Sequence, residues 1–248
     1  MTPARAATLF AAFTFVATTS LATEVRVLSA AAVKGPLTET AAVFERDTGQ
    51  HVVFEFTTAG QVESRVAAGE RPDIVVNSRV RLDAMVANGS RVGAVQNLGT
   101  VRVGVAVRAG APRPDVSTVD AFRASLLAAQ SVAYTNPAAG GTAGTYFAGV
   151  LDRLGIAEAM AGKRRLAADG LDVMRKIQSG EAELGITQVS EILHVDCATY
   201  AGPLPGALQI LTTYAAFVAD DAGPAARALS AALTSDAGRA RFRAAGFE

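Results

Sequence analysis

Residues 24–78 read EVRVLSAAAVKGPLTETAAVFERDTGQHVVFEFTTAGQVESRVAAGERPDIVVNS, in which short β-branched runs alternate with helical stretches. Val25 to Ser29 reads as a strand, Leu37 to Thr48 as a helix, and His51 to Phe56 as a second strand. Val62 to Ala68 then reads as a helix and Asp73 to Asn77 as a third strand. Near-continuous apolar strands joined by amphipathic helices predict a βαβαβ unit and a parallel sheet covered on both faces. Gly49 and Gly69 stand where the two helices must stop.

A second unit follows Gly99. Thr100 to Arg108 and Ser131 to Thr135 read as strands, and Leu184 to Thr187 as a short buried one. Val119 to Ala128, Gly144 to Leu154 and Val173 to Ser179 read as helices. The alanine-rich tail from Pro224 to Ala245 repeats Leu229, Leu233 and Phe242 on one face and predicts two further helices packed on one unit. The fold class is therefore α/β, in two consecutive units with no long linker.

Upstream, MTPARAATLFAAFTFVATTSLA carries Arg5, an apolar run from Ala6 to Val16, and the small-x-small signal Ser20-Leu21-Ala22. The run is too short to span a bilayer, so residues 1–22 are expected to be a signal peptide cleaved after Ala22, giving a periplasmic protein. The 248-residue chain balances 23 Lys and Arg against 23 Asp and Glu. Nucleic acid is excluded as a partner, because polyanion binding needs clustered positive charge. The short basic runs at 79–81, 163–165 and 239–243 read as solvated helix faces or loops.

Cys197 is the single cysteine, so no internal disulfide forms, and a buried structural thiol is expected. Two histidines, His51 and His194, are too few for a transition-metal site, and neither a metal nor another cofactor is expected. A Gly-x-Ser-x-Gly elbow and a Ser-x-x-Lys pair are both missing, which leaves hydrolysis little support. The carboxylate pairs Asp169 with Asp172 and Glu181 with Glu183 read as solvated.

Ligands of open α/β sheets sit beyond the carboxyl ends of strands, where loops enter helices. Four loops qualify: 29–32, 57–61, 77–79 and 136–145. The last is the most informative. Its small residues before Thr142, Ala143, Gly144 and Thr145 let backbone N–H groups and a helix dipole approach an anion. It lacks the Lys-Ser/Thr of a nucleotide loop. Thr58, followed by Ala59 and Gly60, offers a hydroxyl that either contacts a ligand or caps a helix. Asn77 and Ser78, at a strand end, carry the same two readings.

The order VLSAAA (27–32), FERDTG (44–49), FTTAG (56–60), AAGERPDI (67–74), TAGTYF (142–147) and GEAELGI (180–186) resembles the periplasmic molybdate-binding protein family, the type II solute-binding components of ABC importers. The resemblance runs over almost the whole chain after the leader. It implies two α/β lobes around a ligand cleft at a double-crossover hinge: 24–98 plus 210–248 as lobe I, and 99–209 as lobe II. Members of that family hold an oxyanion with two serines, two helix-start amides and a tyrosine. Those positions fall here on Ala32, beside Ala31, on Ala59, on the amides of Ala143 and Gly170, and on Gln188. Losing three hydroxyl donors forfeits about 1.5–3 kcal/mol for each hydrogen bond to a charged oxygen.

The resemblance therefore implies a binder of a small anionic ligand, either an oxyanion of the molybdate and tungstate type or, given the altered site, a small organic acid. Thr58, Thr142, Thr145, Asn77 and Arg102 are candidate groups for a carboxylate. Binding without chemistry, delivery to an ABC-importer membrane permease and a monomeric state are expected. An exported sensor or adaptor subunit, and an exported hydrolase, are the alternatives.

Overall fold

The structure, a computed structural model, describes residues 24–89, 93 and 95–248; the expected leader lies outside them. The first unit runs β1 (Glu24–Ala30), α1 (Lys34–Thr48), β2 (His51–Thr57), α2 (Ala59–Ala67), β3 (Ile74–Ser78) and α3 (Arg79–Ala87). Gly49 adopts the left-handed conformation that ends α1, and its N–H bonds the Glu45 carbonyl at 2.8 Å. The long β4 (Val95–Arg108) leads into α4 (Val119–Ala128), β5 (Val132–Thr135), α5 (Thr142–Arg153), β6 (Arg164–Ala167), α6 (Gly170–Ser179), β7 (Leu184–Gln188), α7 (Val189–Leu193) and β8 (Ala198–Pro203). The chain closes with β9 (Leu211–Val218), α8 (Pro224–Thr234) and α9 (Asp236–Ala244).

The strands line up as β2-β1-β3-β9-β4-β7-β5-β6, with β8 also paired to β4. β1 pairs in parallel with β2 and β3, and β5 with β6 and β7. The parallel sheet read for the first unit holds for β1, β2 and β3, but β9 runs antiparallel between β3 and β4, and β4 runs antiparallel to β7 and β8. The basic run at 163–165, read as a helix face or loop, enters β6 instead.

β4 belongs to both ends of this order. Val95 to Arg102 face β9, whereas Val103 to Arg108 face β7 and β8. The change of partner falls at Arg102–Val103, and β9 pairs with β3 and the first half of β4. Each side has its own core. Val25, Leu37, Phe44 and Ile74 pack with Leu229, Leu233 and Phe242 of the two tail helices. Val103, Phe122, Tyr134, Phe147 and Val150 form the other.

Local capping follows the sequence. The Thr118 hydroxyl accepts from the Ala121 N–H at 3.1 Å and starts α4. Thr118→Ala should lower stability by about 1 kcal/mol, read as a shifted urea midpoint with an unchanged slope.

Candidate functional site

The loops after β1, β2, β5 and β7 converge between the two sides on a small cavity of about 30 Å³. Its wall takes Ala30, Ala31 and Ala32 from the end of β1, and Thr57, Thr58 and Ala59 from the entry to α2. Thr135, Gly141, Thr142 and Ala143 come from the β5–α5 passage, and Asp169 and Gly170 from the start of α6. Thr187, Gln188 and Glu191 span the β7–α7 junction, and Tyr214 projects from the middle of β9. The first turns of α5 and α6 border this space, and the first N–H groups of a helix have no helical carbonyl to accept them.

The two sides touch across the cavity rim. The Gly60 N–H donates to the Gly140 carbonyl at 3.0 Å, and the Thr58 hydroxyl donates to the Ala139 carbonyl. On another edge the Ser190 hydroxyl donates to the Ala32 carbonyl at 2.6 Å. A Cβ at position 60 would stand 2.9 Å from the Gly140 Cα, so glycine is what lets these backbones meet.

Among the described residues no lysine, arginine or histidine lines the cavity; its ionisable groups are Asp169, Glu191 and Tyr214. Asp169 caps α6 by accepting from the Asp172 N–H at 2.7 Å. Glu191 is 5% exposed, and one carboxylate oxygen accepts from the Thr187 hydroxyl and, at 3.3 Å, from the Gln188 N–H. Burial pushes its carboxyl up to about 7; the Thr187 hydroxyl pulls against this, and the charge of Asp169 adds to it. That carboxylate lies where a side chain at position 170 would go, since a Cβ there would be 2.0 Å from a Glu191 oxygen.

Burial also raises the Tyr214 phenol, as does the charge of Glu191, while the side chains of Thr142 and Gln188 temper the effect. Tyr214 therefore remains a hydroxyl donor at every ordinary pH. The Thr142 Oγ1 is buried and completes no hydrogen bond. The Gln188 side chain caps α7 toward the Glu191 amide, but its Oε1 approaches too loosely to complete a bond.

Of the positions singled out in the sequence, Ala31, Ala32, Thr58, Ala59, Thr142, Ala143, Gly170 and Gln188 line the cavity. Gly60 lies on its rim. Asn77 lies beneath it, fully buried, donating to the Ala59 carbonyl at 2.9 Å and accepting from the Ser78 N–H at 2.8 Å. Asn77 thus braces the second loop, and Ser78 precedes α3. Gly144 packs on the Thr135 carbonyl, and Thr145 is exposed. Arg102 is engaged elsewhere, with Glu248 at 2.9 Å. Cys197 is partly exposed rather than buried. Thr57, in the second loop that the sequence singled out, lines the cavity too; sequence reasoning did not find Thr135, Thr187, Glu191 or Tyr214, and it read Asp169 as solvated. The one available signal was the Gln188-x-x-Glu191 spacing, a capping-box pattern directly after a fully buried strand.

Among the described residues no helix is long and apolar enough to cross a membrane. The chain is 35% identical over 233 residues to an aconitate isomerase of a Pseudomonas species, an alignment spanning 88% of this chain and 85% of that protein. The periplasmic molybdate-binding protein of Azotobacter vinelandii superposes with a TM-score of 0.73 at 19% identity, covering 90% of this chain and 98% of that one. The sulfate-binding protein SubI of Mycobacterium tuberculosis superposes with a TM-score of 0.70 at 15% identity, covering 91% and 86%. These two likenesses establish the type II periplasmic-binding fold. The model of the bacterial extracellular solute-binding proteins matches residues 25–248, and the chain belongs to that family.

Proposed function

We propose that this protein captures a small organic acid in the cavity between its two sides, in the periplasm, and presents it to the membrane permease of an ABC importer. The observation that carries this reading is the cavity's hydrogen-bonding inventory. Helix-start amides and the Thr142 and Tyr214 hydroxyls can donate to ligand oxygens, whereas Asp169, Glu191 and the Gln188 Oε1 are acceptors with no cation beside them. A tetrahedral oxyanion has only acceptors to offer, and it would meet two carboxylates without a compensating charge. An organic acid answers both sets, because its carboxylate takes the amides while a hydroxyl or protonated carboxyl donates to the acceptors. Ala32 and Ala59 point the same way, since neither brings a side-chain hydroxyl at the two positions that the resemblance assigns to serines. The relative named for acting on aconitate, an unsaturated tricarboxylate, supports this ligand class. A molecule of that size needs more room than the present cavity, so the two sides must stand further apart around it, as hinge-closing binders allow.

A thermal-shift series tests the reading, because a ligand that binds only the folded chain raises its melting temperature. Aconitate isomers, citrate and related di- and tricarboxylates should each be compared with molybdate, tungstate and sulfate. The organic acids are expected to raise the melting temperature by several degrees and the oxyanions to leave it in place. Thr142→Ala should reduce the organic-acid shift, because about 1 kcal/mol of hydrogen bonding is lost. Stabilisation by molybdate alone would reject the proposal.

A further inference from the structure

Resting on the organic-acid reading, the geometry points to a second role for the same cavity: Glu191 carries a proton between two carbons of a bound unsaturated acid and thereby moves its double bond. Three observations combine. Glu191 is a buried carboxylate that no cation neutralises among the described residues, with one oxygen accepting from one hydroxyl and one backbone amide. It lies in the cavity wall with its carboxylate in the space beside Gly170, where any larger residue would displace it. Tyr214 and Thr142 lie in the same wall, the latter with an unpartnered hydroxyl oxygen.

Shifting a carbon–carbon double bond in an acid requires that a C–H next to both the double bond and a carboxylate lose its proton. The alternative, rotation after a nucleophile adds to the double bond, needs a cysteine, lysine or histidine, and among the described residues none lines this wall. In the proton route, the Glu191 carboxylate takes the methylene proton and the C–H electron pair becomes the new double bond. The electrons of the old double bond then accept that proton, returned by the Glu191 carboxyl, at its far carbon. No proton, electron or oxidant is gained or lost overall. Negative charge develops meanwhile on the substrate carboxylate, where the Tyr214 hydroxyl and the α5 amides can donate.

The groups facing Glu191 suit this exchange. Asp169 of α6 is anionic, Tyr214 of β9 is neutral, and Thr187, Gln188 and Thr142 are uncharged, so burial and one like charge bring the carboxyl to about 7. Near neutral pH both the base and its conjugate acid are then populated, which is the condition for efficient proton transfer in both directions.

The test incubates the purified protein with trans-aconitate and follows cis–trans interconversion by proton NMR, with thermal shift measured on the same samples. The wild type is expected to interconvert the isomers, more slowly when the methylene is deuterated, with kcat/KM falling as pH drops below about 7. Glu191→Gln, whose side-chain carbonyl can still accept a hydrogen bond, should weaken the thermal shift only in part and lose at least 100-fold in kcat, with Glu191→Asp between the two. Binding without interconversion overturns this inference and leaves the binding proposal standing. Failure of the acid to bind overturns both. Full activity in Glu191→Gln overturns the assignment to this residue.

Discussion

Glu191→Gln should make the protein more stable than the wild type above pH 7, by roughly 3 kcal/mol, and should leave it nearly unchanged at pH 4.5. The folded carboxyl titrates near 7, against an ordinary value of 4.5 in the unfolded chain. Below 4.5 both states hold the proton and the residue imposes no penalty. Between 4.5 and 7 the unfolded chain releases its proton while the folded chain keeps it, so stability falls as pH rises. Above 7 the full penalty of an ionised, buried and unpaired carboxylate is in place. Glutamine keeps a carbonyl to accept from Thr187 and the Gln188 N–H but cannot ionise. Urea titrations of both proteins at pH 4.5, 6 and 8 check this, and a difference that stays constant across the series would sink it. Greater stability in a variant that has lost function would mark Glu191 as a group kept at a cost to the fold.

Gly60→Val should open the ligand-free protein without unfolding it. A Cβ at position 60 meets the Gly140 Cα at 2.9 Å and its carbonyl oxygen at 3.1 Å, and these are backbone atoms that no rotamer change can move aside. Opening also forfeits the Gly60 to Gly140 hydrogen bond and that from the Thr58 hydroxyl to Ala139. Two hydrogen bonds at about 1 kcal/mol each, with a steric term of at least the same size, disfavour the closed form by about 3 kcal/mol, or roughly 100-fold in population. Small-angle scattering should show a larger radius of gyration than for the wild type, with circular dichroism unchanged. Identical scattering curves would mean that the rim contact does not hold the sides together.

The strands and helices of residues 24–78 were legible because each carries its own period and stop signal, and that signal survives without tertiary context. β9 was not read, although TTYAAFV is as apolar as any strand here. What defines it is insertion between β3 and β4, a pairing of distant residues that local pattern does not encode. The cavity divides in the same way. Its loops were found because small residues before a helix advertise themselves, as at Thr142 and Ala143. Glu191 was missed because an acid in the first turn of a helix normally faces water. Its burial comes from Gly170, Thr187 and Tyr214, which three other elements bring to it. Gln188 was read as standing in place of a missing tyrosine, and the structure places Tyr214 in the same cavity wall, from β9.

The placement of β9 also dictates an order of events as the chain is made. Ile74 to Ser78 must wait for residues 214–218 to complete their sheet, and Val95 to Arg102 wait for the same strand. A nascent chain released up to residue 208 has both edges unpaired and lacks α8 and α9, which supply Leu229, Leu233 and Phe242 to the first core. Such non-local closure is slow. The N-terminal side therefore cannot lock until nearly the whole polypeptide is present, which keeps the chain threadable for any passage across a membrane that demands an unfolded substrate.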